Sequence, residues 1–198
     1  MKMGTSFYTE EELKGLGLKS YGRNVLISRK CSIYGAGNIA IGNNVRIDDF
    51  VILSVGTELV IGDYVHIACY SSIIGNGKVH IGNYCGLSGR VSVYSSTDDY
   101  MGFAMTNPMV PDKYTAVYSA DVSIMAHSLI GCGSVILPGV TIEKGVSVAA
   151  LSLVDKRCKT NNLYGGNPCQ KLCAKSTDYL KMAEDFERSL LTKSNEYQ

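Results

Sequence analysis

Two aspartates stand side by side at Asp98 and Asp99, near the start of the polar stretch SSTDDYMGFAMTNPMVPDKY (95–114). Like charges this close make one carboxyl easier to protonate. Such a pair can hold an ammonium group and accept a proton as an amine attacks an electrophile. Successive residues of an extended chain face opposite ways, so only one of the two need enter a cleft. Asp98 is the first candidate and Asp99 the second. In an arbitrary loop the pair would merely be solvated. Three histidines add options. His127, in IMAHSL just after the stretch, is an alternative general base. His66, in IGDYVH, is a candidate contact for an acceptor, and His80 reads as a surface strand residue. Their spacings suggest no metal triad. The seven cysteines form no CxxC pair, so zinc is not expected.

The elements that must position these groups are legible as a repeat. YGRNVLISRKCSIY, IGNNVRIDDFVILS, IGDYVHIACYSSII and IGNYCGLSGRVSVY begin at Tyr21, Ile41, Ile61 and Ile81. Within them an aliphatic residue recurs every six positions, as Ile41, Ile47, Leu53, then Ile61, Ile67, Ile73, then Ile81, Leu87, Val93. The count stops in the polar stretch and resumes with Ile124, Ile130, Ile136, Ile142, Val148 and Val154. A period of six fits neither a helix nor an alternating strand. Three sixes make one turn of a triangular coil, with a short strand on each side and Gly, Asn or Asp at the corners. The repeat therefore predicts an all-β parallel β-helix whose stacked coils share one core. Small or β-branched residues four positions on (Val45, Val51, Val65, Ser71, Cys85, Val91) also face inward. The longer coils carry two extra residues at one corner, in GAGN, VGTE and GNGK.

Three segments follow: an N-terminal cap over 1–20, the β-helix over 21–160 with an excursion over 96–121, and an exit segment with a terminal helix over 161–198. TEEELKGLG (9–17) predicts a short helix with a Thr9–Glu12 capping box. STDYLKMAEDFERSLLTK (176–193) places Tyr179, Ala183, Phe186 and Leu190 on one helical face. A net charge of +1 gives no electrostatic case for nucleic acid or an anionic membrane. No run approaches the 18 apolar residues of a membrane helix. The scattered thiols and the absence of an apolar leader predict a reduced, cytoplasmic protein.

The hexapeptides, the coil pair SLIGCGSVILPGVTIEKGVSVAALSLVDK and the exit YGGNPCQKL resemble the left-handed β-helix acyltransferases over about residues 20–175. The excursion is similar to that of nucleotide-sugar N-acyltransferases of the anthrose-biosynthesis type. The resemblance implies the left-handed sense, a homotrimer with sites between adjacent β-helices, an acyl-CoA donor (acetyl or another small acyl group), and a nucleotide-linked amino-deoxysugar as acceptor on the way to surface polysaccharide. It implies that CoA runs along Leu129, Gly131, Cys132 and Ala150, with Lys156 near it and Lys171 and Lys175 at its phosphates. It also implies Ser88 near the reacting carbonyl, where a hydroxyl or backbone N–H would stabilise an oxyanion. Tight turns and core filling account for part of Gly131 and Ala150, and Ser88 is equally a polar corner residue. For the acceptor, His66 and Arg46 are candidates for its phosphates and Tyr84 for its base, although tyrosines at repeat corners also pack in ladders.

One departure bears on the reaction. Many O-acetyltransferases of this branch carry Thr-His-Pro at the loop entrance, where this chain has Thr97-Asp98-Asp99. A hydroxyl is a poorer nucleophile than an amine and needs a stronger base, so the missing histidine favours an amine acceptor. A sugar O-acetyltransferase using His127 is the first alternative. A non-catalytic β-helix scaffold is the second, and it would have little use for the long polar excursion.

Overall fold

A computed structural model describes residues 6–195; the first five residues of the N-terminal cap and the last three of the exit segment lie outside the described residues. The chain winds into a triangular prism. Its first side carries strands Ser20–Tyr21, Ile39–Ile41, Leu59–Ile61, Val79–Ile81, Val122–Ile124 and Thr141–Ile142. The second side carries Val25–Ile27, Val45–Ile47, His66–Ile67, Gly86–Leu87, Leu129–Ile130, Ser147–Val148 and Asn162–Gly165, closed by the antiparallel strand Gln170–Ala174. Ser32–Tyr34, Ile52–Val55, Ser72–Gly75, Ser92–Tyr94, Val135–Ile136 and Leu153–Val154 form the third. Coil stacks on coil in parallel, each residue beside its equivalent, as in Ile41 beside Ile61 and Ile61 beside Ile81.

The inward positions are those the period of six selects. Ile47, Leu53, Ile67, Ile81, Val93, Ile124, Ile130 and Ile136 are all fully enclosed, and the small position-four residues, Ser71 among them, are buried too. Each buried Ile, Leu or Val contributes about 1.5–3 kcal/mol of hydrophobic stabilisation, so the column down the axis holds the coils together.

The corners explain the polar part of the repeat. Between the first and second sides, Asn24, Asn44, Tyr64, Tyr84 and His127 take the left-handed conformation, with φ between 53° and 60°. Asn tolerates that region better than other non-glycine residues. Beside them Asn43, Asp63 and Asn83 form a ladder: the Asn43 amide donates to Asp63 Oδ1 at 2.6 Å, and the Asp63 amide to Asn83 Oδ1 at 2.9 Å.

The excursion leaves at the third corner, the one that carries the extra residues in the preceding coils. Ser96–Thr97 pairs antiparallel with Tyr118–Ser119, and Val122 re-enters beside Val79 as the next coil of the stack. At the N-terminus, α1 (Glu10–Gly15) has the expected capping box, with Thr9 and Glu12 each accepting from the other's backbone N–H. At the other end α2 (Asp178–Asn195) lies along the first corner, where Phe186 meets Tyr64 and Tyr84 edge-on.

Candidate active site

Two depressions hold the chemical groups, and they lie on different sides of the prism. The larger, a cleft of about 700 Å³, sits on the third side beneath the excursion. Asp98 lines it with Thr97 and Ser96, opposite an apolar wall that includes Tyr94, Val135, Leu137 and Leu153. The Asp98 carboxylate accepts no hydrogen bond among the described residues; only its backbone carbonyl is engaged, by Thr97 Oγ1. Its neighbour is committed elsewhere. Asp99 accepts the backbone N–H groups of Met101 at 2.8 Å and Ala104 at 2.9 Å, and these bonds hold its carboxyl below the usual carboxylate range. The pair thus divides as extended chain requires: Asp98 faces the cleft and Asp99 organises the loop.

The smaller depression, about 290 Å³, lies on the second side and is lined by His66, Ala68, Gly86, Ser88 and Leu129. Ser88 is half-buried at its edge. The Ser88 backbone N–H is spent on Ile130 O at 2.9 Å, which leaves the hydroxyl as the group able to face a ligand. His66 Nε2 lies 2.8 Å from Asp48 Oδ2, and Arg46 Nε donates to Asp48 Oδ1 at 2.7 Å. Arg46 and His66 are therefore joined through Asp48. The pairing of Asp48 with His66 is not visible in the one-dimensional sequence, because the partners are 18 residues apart on adjacent coils.

Along the second corner, Cys132 and Ala150 are exposed beside Leu129. Gly131 is required there by its neighbour, since a Cβ on it would stand 2.4 Å from the Ala150 nitrogen. The result is a smooth rim. Lys171 is exposed on the closing strand, and Lys156 reaches Gln170 Oε1 at 3.4 Å. Lys175 differs from both. Its ammonium donates to Gly145 O at 2.9 Å and lies over the Tyr179 ring, and burial lowers its pKa. It fastens α2 to the stack rather than standing free for a phosphate.

Two further candidates belong to the first corner. Tyr84 stacks between Tyr64 at 5.2 Å and His127 at 4.8 Å, and its hydroxyl donates to Glu187. Burial, with Glu187 beside it, pushes that hydroxyl up to about 12. His127 is tilted against Tyr179 as well, and burial followed by Lys144 depresses its pKa. Both rings lie under α2 and line neither depression. The apolar wall of the larger cleft is the part sequence reasoning missed. Its signal was present, since Val135 and Leu153 are aliphatic at outward positions where a solvated side would carry polar residues.

Among the described residues no group of three or more His, Cys, Asp and Glu is placed to hold a metal ion, and no helix is long and apolar enough to cross a membrane. No family model matches the chain. It is 46% identical over 187 residues to the dTDP-4-amino-4,6-dideoxy-D-glucose acyltransferase of Escherichia coli, covering 94% of this chain and 97% of that protein. Among solved structures, AntD, an N-acyltransferase from Bacillus cereus in complex with dTDP and 3-hydroxybutyryl-CoA, is similar at a TM-score of 0.91 and 40% identity, over 94% of this chain and 99% of that one. A hexapeptide-repeat acetyltransferase from Vibrio cholerae, complexed with acetyl-CoA, shares the fold at a TM-score of 0.57 and 21% identity, over 85% of this chain and 79% of that one. The molecule is a left-handed β-helix acyltransferase. Within that class, the chain belongs to the dTDP-amino-dideoxyglucose N-acyltransferase family.

Proposed function

We propose that this enzyme moves an acyl group from acyl-CoA to the 4-amino group of a dTDP-linked 4-amino-4,6-dideoxy sugar. We place it in a cytoplasmic homotrimer that prepares the sugar for surface polysaccharide. The observation that carries the reading is the pair of uncommitted polar groups, the Asp98 carboxylate and the Ser88 hydroxyl, opening onto two different sides of one prism. A single chain does not bring them together. Three prisms packed about a threefold axis, with the second side of one facing the third side of the next, would join them in each of three clefts. The exposed excursion side chains Tyr100, Met101, Phe103 and Met109 supply apolar surface for that packing.

In such a cleft CoA would lie along the smooth rim of Leu129, Gly131, Cys132 and Ala150. Lys171, with Lys156, would meet its phosphates. Asp98 would hold the sugar amine in line with the thioester carbonyl. As the amine attacks, the carbonyl oxygen gains charge, and the Ser88 hydroxyl would donate to it. The C–S bond then breaks and the thiolate leaves. His66 and Arg46 are assigned to the acceptor side of the same cleft. Tyr84 and His127, held under α2, are assigned to the fold. The solved AntD structures support the two principal roles: they include variants at a serine and at an aspartate ten positions further on, and Ser88 and Asp98 stand ten apart here.

The test is thiol release from acetyl-CoA with dTDP-4-amino-4,6-dideoxyglucose and with the corresponding sugar bearing a hydroxyl. Turnover with the amine supports the proposal. Turnover with the hydroxyl sugar alone would promote the O-acetyltransferase, and a monomeric mass in solution would remove the shared cleft.

A further inference from the structure

Asp48, His66 and Ser88 lie on three successive coils of the second side. His66 lies directly beside Arg46 on the preceding coil and beside Gly86 on the next. Asp48 is two residues past Arg46, and Ser88 is two past Gly86, so the two occupy equivalent diagonal positions on opposite sides of the histidine. Diagonal neighbours are within reach of a long side chain, and the 2.8 Å contact of His66 with Asp48 shows that this imidazole spans such a diagonal. Gly86 puts no side chain between His66 and Ser88; a Cβ there would meet Leu129 Cδ1 at 3.3 Å. The charged groups facing the ring are Asp48 and Arg46, both from the preceding coil, while Gly86 and Leu129 from the following coils carry none.

Resting on the N-acyltransferase reading above, we propose that His66 is the proton acceptor of the reaction and that Asp48 is its positioning residue. With Nε2 oriented by Asp48, Nδ1 is the nitrogen left for the sugar ammonium near Ser88. An ammonium has no lone pair, and a carboxylate such as Asp98 orients it better than it deprotonates it. The imidazole takes one proton from R–NH3+, leaving R–NH2, and later gives it to water. The amine forms the C–N bond and the thioester C–S bond breaks. The second nitrogen proton goes to the departing thiolate, giving CoA–SH and the amide.

The experiment is the pH–rate profile of thiol release with dTDP-4-amino-4,6-dideoxyglucose for the wild type, His66→Asn and Asp48→Asn. Folding is checked by circular dichroism, with His66→Gln as the second variant. For His66→Asn, kcat at neutral pH should fall about 100-fold, recover as rising pH deprotonates the free amine, and leave the acyl-CoA KM in place. Asp48→Asn should fall roughly 10-fold with the same alkaline recovery. A His66→Asn enzyme within about 3-fold of wild type overturns the assignment, since a general base contributes at least about 100-fold. A loss equal at every pH also overturns it, by reducing His66 to a binding contact. A wild type that turns over no amine overturns the functional reading, and the base with it.

Discussion

Ser88 lies on the coil from which the excursion bearing Asp98 departs, yet one opens on the second side of the prism and the other on the third. If the site is shared between chains, two defective proteins should repair each other. Ser88→Ala and Asp98→Asn are each expected to lose activity; co-expressed in equal amounts and assembled at random, each mixed trimer should hold one intact cleft in three, roughly one cleft in four over all trimers. Recovery of about that share of wild-type thiol release is the expected result. No recovery in trimers shown to be mixed would place both residues in one chain's site.

The two neighbouring aspartates should separate cleanly. Asp98→Asn should lower kcat by about 100-fold with little change in the acyl-CoA KM. Asp99→Asn should act on the loop, because Asp99 binds the Met101 and Ala104 amides. Its signature is faster proteolysis within 96–121 and a smaller loss of turnover. Equal kinetic losses would mean that the division of labour between them is wrong.

The lysines of the exit segment are expected to part in the same way. Lys171→Ala should raise the apparent acyl-CoA KM several-fold, an effect that fades with added salt. Lys175→Ala should leave KM alone and lower the melting temperature, since it breaks the bond to Gly145 O and the contact with Tyr179. A net loss of about 1 kcal/mol is expected for a single partly buried hydrogen bond. Thermal melts beside steady-state kinetics distinguish the two.

Acid should weaken the C-terminal end of the stack through Glu143. Its carboxylate accepts the Thr160 amide and hydroxyl, both at 2.9 Å, and the Arg157 guanidinium at 2.6 Å, which together hold its pKa at about 2. The folded value lies below the unfolded one. The contribution is therefore complete above the ordinary glutamate range and is lost as pH falls from there toward about 2. Glu143→Gln should lower the melting temperature at pH 7 and make little difference near pH 2. A constant gap between the two proteins across that range would count against the linkage.

Much of the architecture was legible because a β-helix is close to one-dimensional. Ile41, Ile61 and Ile81 are equivalent in sequence spacing and adjacent in space, so the period alone assigns the core and the corners. The point where the coil breaks and the capping box at Thr9 could be read for the same local reason. Handedness could not, because a period of six places the same residues inside for either hand. The corner under α2 was also hidden. Tyr84 and His127 look available in sequence, and only the return of the chain at Tyr179, Phe186 and Glu187 covers them. Lys175 read as a phosphate ligand because its charge is visible in sequence, whereas the Gly145 carbonyl that takes it lies 30 residues away.

The corner from which the excursion departs was already the variable one, carrying GAGN, VGTE and GNGK in successive coils before Ser95. Neighbouring coils still meet in full register on either side of it, as Val79 does with Val122. Length at that corner is thus mechanically decoupled from the stack. A chain built this way can exchange the segment that bears Asp98 as a cassette, changing which nucleophile it serves while the frame beneath keeps its thermodynamics.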